Sequence, residues 1–126
     1  MTGFSFDANI LIDALVGQRL AHDELRRVRD SGAGLWISRM AWLEALSKGD
    51  EALVREALKF LSRFGMDEID EQVSLRAASL RRQRPSLRSP DAIILATAQT
   101  RGRILVTRNT KDFPATMPGV RIPYTL

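Results

Sequence analysis

Short apolar runs alternate with longer stretches of helical periodicity along this chain, and few folds accept that alternation. The first run, residues 3–6, stops at Asp7, and a helical pattern starts at once over residues 8–16 until Gly17. A second helical pattern, residues 20–28, turns Leu25 and Val28 inward and Arg26, Arg27 and Arg29 outward, and ends in Ser31-Gly32-Ala33-Gly34. Residues 35–37 have strand character and are followed by Ser38; residues 39–48 look helical and close at Gly49. Asp50 can cap the next helix, residues 51–64, which carries Leu53, Leu58 and Leu61. Gly65 breaks it, and residues 66–69 form a weak third strand. Asp70 can cap a helix over residues 71–84 with Val73, Ala77 and Leu80 on one face, ended by Pro85. Ser89-Pro90 opens a helix over residues 91–100, since proline is favoured at the first helical position. Gly102 closes it, residues 104–107 are the clearest strand, residues 109–113 a turn, and residues 120–122 a last short strand before Pro123.

Strands alternating with helices imply βαβ units around a mostly parallel sheet. The fold class expected is therefore α/β, a three-layer α/β/α sandwich. With 126 residues and no repeat, low-complexity tract or long linker, one domain spanning residues 1–126 is expected.

Composition removes several kinds of function. There is no cysteine, so no disulfide frame, zinc knuckle or thiol nucleophile. No apolar run approaches a membrane span, and residues 2–7 read as a strand rather than as the start of a signal peptide. A cytoplasmic location is expected. The net charge is +4 and the pI about 10.3. Of the nineteen cations sixteen are arginine, the side chain suited to bidentate phosphate contacts. That excess permits a polyanionic partner without requiring one.

Four places put an acid or amide at the carboxyl side of a strand or at a nearby helix start: Asp7, Glu44, Asp91 and the Asn109/Asp112 turn. Each also has an ordinary explanation. Asp7 is a suitable N-cap for the helix containing Ile10 and Leu11. Glu44 is the only acid between Ser31 and Gly49 and shares a face with Met40 and Leu43 rather than with Lys48. A carboxylate there needs a cation or a salt bridge, to Arg39 or another arginine. Asp91 suits the first turn of its helix electrostatically, and Asn109 and Asp112 are common loop residues. Asp13 reads as a solvated helix residue. His22, the sole histidine, reads as a surface side chain, which excludes a His–His acid/base pair.

The set says more than its members. Parallel strands end on one edge, so acids at several strand ends converge where ligands collect. Clustered carboxylates repel, which raises pKa values or calls for a cation. Oxygen donors without His or Cys favour Mg²⁺ or Mn²⁺, ions that take remaining ligands from water and phosphates. Such ions orient or deprotonate water for in-line attack on a phosphodiester. Arg76, Arg81, Arg82, Arg84 and Arg88 form an acid-free basic stretch just before Asp91. It suits nucleic-acid phosphates, or equally a solvated face paired with Glu68 or Glu71.

Phe6-Asp7-Ala8-Asn9-Ile10-Leu11-Ile12-Asp13, then Glu44 in a short helix, then Ser89-Pro90-Asp91-Ala92-Ile93-Ile94-Leu95-Ala96-Thr97-Ala98, then Leu105-Val106-Thr107-Arg108-Asn109-Thr110-Lys111-Asp112-Phe113, resembles a PIN domain. At this size it is most similar to VapC-type toxins of bacterial toxin–antitoxin pairs. The ordered set carries the resemblance over essentially the whole chain; no single motif does. It implies a Mg²⁺-dependent endoribonuclease, held inactive by a small antitoxin and built on homodimers. By position Asp7, Glu44 and Asp91 are its acidic metal ligands and catalytic residues, with Thr107 and Asn109 supporting the site. Members place the fourth acid at either the Asn109 or the Asp112 position; here the first is an amide, so a fourth acidic ligand rests on Asp112 reaching inward, and without it the site has three carboxylates and a weaker second metal. The rivals are a non-catalytic RNA-binding or regulatory module on this fold and a phosphoacceptor signalling domain. The latter needs paired acids after the first strand, where Asp7 is followed by Ala8, and a lysine where Arg108 stands.

Overall fold

The computed structural model describes residues 3–126; Thr2, included above in the extended start, lies outside the described residues. Five strands and six helices follow one another: β1 (Phe4–Phe6), α1 (Ala8–Leu15), α2 (Arg19–Asp30), β2 (Leu35–Ser38), α3 (Arg39–Ala45), α4 (Glu51–Leu61), β3 (Gly65–Asp67), α5 (Glu71–Gln83), α6 (Ser89–Arg101), β4 (Ile104–Val106) and β5 (Val120–Arg121). The strands form one sheet in the order β3-β2-β1-β4-β5, every pair parallel. The α/β class read from the alternation is the fold observed.

Two crossovers step outward from β1 to β2 to β3, and the third returns past both to β4. Parallel crossovers are right-handed in nearly all proteins, so a connection that reverses direction must cover the opposite face. Helices α1 to α4 thus cover one face and α5 and α6 the other, with α1 packed on α2 and α3, and α5 on α6. Strands covered on both sides are apolar over most of their length. Accordingly Phe6, Ile37, Leu105 and Val106 are fully buried, together with Ile10, Leu11, Val73 and Ile94 from the helices. The reversal puts a topological switch point between β1 and β4, where α/β sheets open a crevice.

Most element ends lie within two residues of the sequence reading. The exceptions are the ends of α3 and α4, at Ala45 instead of residue 48 and at Leu61 instead of residue 64. Strand β3 takes in Gly65, paired with Trp36, where a Cβ would stand 2.5 Å from the indole Cε3. Gly34 approaches the same ring as closely, with a Cβ 2.5 Å from Nε1. Arg103 stacks over the indole with its Cζ 3.7 Å from the ring centre and donates twice to Asp67, at 3.0 Å each. Helix α3 ends at Ala45 rather than 48, which redirects Ser47 and Lys48 toward the carboxyl edge of the sheet. Glu24, buried on α2, receives two hydrogen bonds from Arg27 and two from Arg121, and so fastens β5 to the helical layer.

Candidate active site

The carboxyl ends of β1 and β4 meet at Asp7 and Thr107. Asp7 N–H donates to the Val106 carbonyl at 2.9 Å, so the last bond of the β1–β4 pairing delivers Asp7 to the crevice. Its backbone is extended and caps α1, and Oδ1 accepts from Ala8 N–H at 2.7 Å. Oδ2 accepts from the Thr107 hydroxyl at 2.8 Å and from Asn9 Nδ2 at 3.3 Å. The cap and the site are therefore one arrangement. Thr107 is wholly buried; its oxygen also accepts from Asn9 Nδ2 at 3.1 Å and from Asn109 N–H at 3.0 Å, which leaves it one role, donating to Asp7.

An open cleft of about 810 Å³ lies over this point, with Asp7, Glu44 and Asp91 in its wall. Helix α3 brings Glu44, and α6 brings Asp91 from its first turn, behind Pro90. The two helices meet at this edge. Asp91 is 7% exposed, and its Oδ2 is buried with no hydrogen-bond donor. Arg88 Nε stands 3.6 Å from that oxygen, near enough for attraction but too far for a hydrogen bond. Glu44 is half-buried, and among the described residues nothing pairs with it; Arg39 is taken by Glu68, at 2.9 and 2.6 Å.

The electrostatics join these acids. Burial pushes Asp7 up to about 6, with Asp91 adding to the rise against the hydrogen bonds from Thr107, Ala8 and Asn9. Burial likewise raises Glu44, followed by the charges of Asp7 and Asp91, against Arg88. Asp91 is raised by burial and then by Asp112, against Arg88 and Arg84. Each acid is held in a state that a positive charge would relieve. The donor set fits a hard divalent cation: oxygen only, one buried carboxylate oxygen without a donor, and no internal cation bound to Glu44. Among the described residues no group of three or more acidic or histidine side chains is placed so that it could hold a metal ion together. An ion held here is one that keeps water, as Mg²⁺ does.

At the Asn109/Asp112 turn the two side chains are locked together. Asn109 Nδ2 donates to Asp112 Oδ2 at 2.9 Å, and Asp112 N–H to Asn109 Oδ1 at 3.2 Å. Asn109 lines the cleft; Asp112 stands behind it, with Arg84 Nη2 3.9 Å from its Oδ1 and Nη1 donating to its carbonyl at 2.7 Å.

Residues 5–116 match the PIN domain. The chain belongs to the PIN domain family. A toxin–antitoxin complex from Klebsiella pneumoniae contains a chain 37% identical, with a TM-score of 0.86 over 98% of this chain and 100% of that one. VapBC2 from Rickettsia felis bound to a promoter DNA fragment is 20% identical with a TM-score of 0.77, over 93% of this chain and 94% of that one. DNA-bound VapBC from Salmonella typhimurium is 23% identical, TM-score 0.76, over 97% of each. No curated protein sequence matches it. The PIN-domain resemblance read from the motif order is upheld, and the likeness of fold extends to the VapBC complexes.

Within this PIN domain some assignments change. Asp13 is not solvated: it is 6% exposed, accepts from Arg108 Nε at 2.7 Å and Nη2 at 3.0 Å, and from the Tyr124 hydroxyl at 2.7 Å. Its partners lie 95 and 111 positions along the chain, beyond any helical period. Lys48 joins Glu44 in the cleft after all, because α3 has unwound before it. The basic stretch does not pair with Glu68 or Glu71. Arg76 donates to Gln99, Arg81 to the Leu87 carbonyl and Arg84 to Asp112, and Arg88 enters the cleft. His22 is exposed, 2.9 Å from the Ala14 carbonyl. Sequence reasoning passed over Asn9, Arg108 and Lys111 as cleft residues; a polar Asn9 in an otherwise apolar helix start was the available signal.

Proposed function

We propose that this PIN domain is a divalent-metal-dependent endoribonuclease and the toxin of a toxin–antitoxin pair. One observation carries the nuclease reading: Asp7, Glu44 and Asp91 face one cleft with raised proton affinities, and the buried Asp91 Oδ2 has no donor. The rim supplies the complementary charge, Lys48, Arg88, Arg108 and Lys111. The toxin reading draws on the 37% identical chain in a toxin–antitoxin complex.

Mg²⁺, or Mn²⁺ in its place, would be held by Asp7 and Asp91, with Glu44 completing the shell, and would supply neutralisation of a phosphodiester and acidification of water. Thr107 and Ala8 N–H hold both oxygens of Asp7, so its orientation does not depend on the ligand. Asp91 presents an oxygen that no protein group occupies. Asp112, through Asn109 and through its charge on Asp91, tunes the shell. Arg88 and Lys48 draw the polyanion across the acids, which would otherwise repel it. A non-catalytic RNA-binding module has no use for a donorless buried carboxylate, so the nuclease is preferred.

Purified protein should cleave total bacterial RNA with Mg²⁺ or Mn²⁺ and stop with EDTA, and Asp91→Asn should lose at least about a hundredfold. Full activity in Asp91→Asn refutes the assignment. Induction of the chain alone should arrest bacterial growth in the cytoplasm, and co-expression of a small protein encoded beside it should relieve the arrest. Light scattering tests the homodimer that the family resemblance implies.

A further inference from the structure

Arg108 is anchored unlike any other cation of the cleft. Its Nε and one Nη2 hydrogen are taken by the two oxygens of Asp13, at 2.7 and 3.0 Å, in a planar fork. Guanidinium has five N–H groups, so the edge formed by Nη1 and the second Nη2 hydrogen remains to donate. The side chain is 34% exposed and lines the cleft beside Asp7 and Asn109. Asp13 is buried on α1 and is itself fixed by the Tyr124 hydroxyl at 2.7 Å, from the C-terminal segment. Burial raises the Asp13 carboxyl, but the hydrogen bonds from Arg108 and Tyr124 outweigh it and hold it below the usual range, so the clamp is ionic at neutral pH. Arg108 N–H donates to Asn9 Oδ1 at 3.3 Å, and Asn9 donates to Asp7 at 3.3 Å, which sets the fork at a fixed station relative to the acids.

We propose that Arg108 grips a backbone phosphate of the RNA, with Asp13 and Tyr124 as the positioning residues that aim it; this rests on reading the cleft as an RNA site. A fork whose plane is already locked loses little freedom on binding a phosphate, whereas the exposed Lys48 and Lys111 must be ordered. A mere staple between α1, β4 and the C-terminal segment would need no donor edge on the cleft. The sign of one effect separates the two. Asp13→Asn removes a negative charge beside the cleft, so without positioning RNA binding tightens; with positioning it weakens, because the fork is released.

The test uses polarisation of fluorescein-labelled unfractionated tRNA at low salt in EDTA, with thermal unfolding of every variant. Arg108→Ala is expected to weaken binding about tenfold, one bidentate charged contact, and to reduce the salt slope by about 0.7. Arg108→Lys should restore the slope but not the affinity. Asp13→Asn and Tyr124→Phe should weaken binding with the slope kept, Tyr124→Phe serving if Asp13→Asn does not fold. No measurable binding by the wild type, equal binding by Arg108→Ala, or tighter binding by folded Asp13→Asn overturns the proposal. RNA cleavage with Mg²⁺ is scored separately. Its absence in the wild type, with the binding pattern intact, removes the nuclease reading and leaves the Arg108 assignment standing.

Discussion

Replacing Asp7 by asparagine is predicted to stabilise the protein at neutral pH. Folding lifts the Asp7 carboxyl from 3.8 to about 6. A unit of pKa is 1.36 kcal/mol, so the charged side chain opposes folding by about 3 kcal/mol at pH 7. The sign follows from the native state binding the proton more tightly. The group's contribution is most favourable below pH 3.8 and is lost as pH rises through about 6. Asparagine does not titrate and escapes this cost, but with its oxygen toward Thr107 and Asn9 its NH2 faces Ala8 N–H and cannot accept from it, which returns about 1 kcal/mol. The net gain is about 1–2 kcal/mol, or roughly 4–8 °C in Tm for a domain of this size.

Scanning calorimetry in EDTA measures it. The variant should melt above the wild type at pH 8, and the gap should nearly close on going to pH 5, where the burial cost has fallen by about half. Mg²⁺ should then raise the Tm of the wild type and leave the variant unmoved; an ion at a hundred times its Kd adds about 2.7 kcal/mol. A variant no more stable than the wild type at pH 8, or a gap indifferent to pH, refutes the assigned burial cost.

Glu24→Gln is expected to lose about 2–4 kcal/mol in urea titrations at pH 7, because two arginine forks are left facing an amide. Glu24 is held below its ordinary pKa, since Arg27 and Arg121 outweigh burial, so its contribution is present above about pH 4.5 and lost as pH falls further; the wild-type advantage should fade in acid. Gly65→Ala should cost about 1–3 kcal/mol, read from the Tm, as its Cβ meets the Trp36 ring. Asn109→Asp should tighten Mg²⁺ binding severalfold by calorimetry, adding an oxygen charge to the cleft wall.

The fold was legible because hydrophobic periodicity is local. Six helices and five strands each announced themselves within a dozen residues, and the ends that moved did so for contacts that no window contains. Position 65 has room for glycine alone because Trp36 stands beside it, and α3 stops at Ala45 although Leu46 would extend its apolar face. The candidate site was legible as an order of acids, since parallel strands must end together. What the order could not separate is Asn109 from Asp112, three residues apart in one turn. The distinction is which one faces the cleft, and hydrogen bonds within the turn set that.

Burial alone did not distinguish a working acid from a structural one either; pairing does. Five carboxylates are buried: Asp7, Asp13, Glu24, Asp67 and Asp91. Asp13, Glu24 and Asp67 each receive an arginine fork, from Arg108, from Arg27 and Arg121, and from Arg103. Asp7 receives only neutral donors, and Asp91 Oδ2 none. A buried carboxylate left without its cation is destabilising, and such strain persists where function requires it. The arginine surplus therefore has two uses. Four arginines neutralise buried acids, Arg108 among them, so the number of arginines overstates what is free to meet a polyanion. Arg108 serves both ends: one edge closes on Asp13, and the other is left for the cleft.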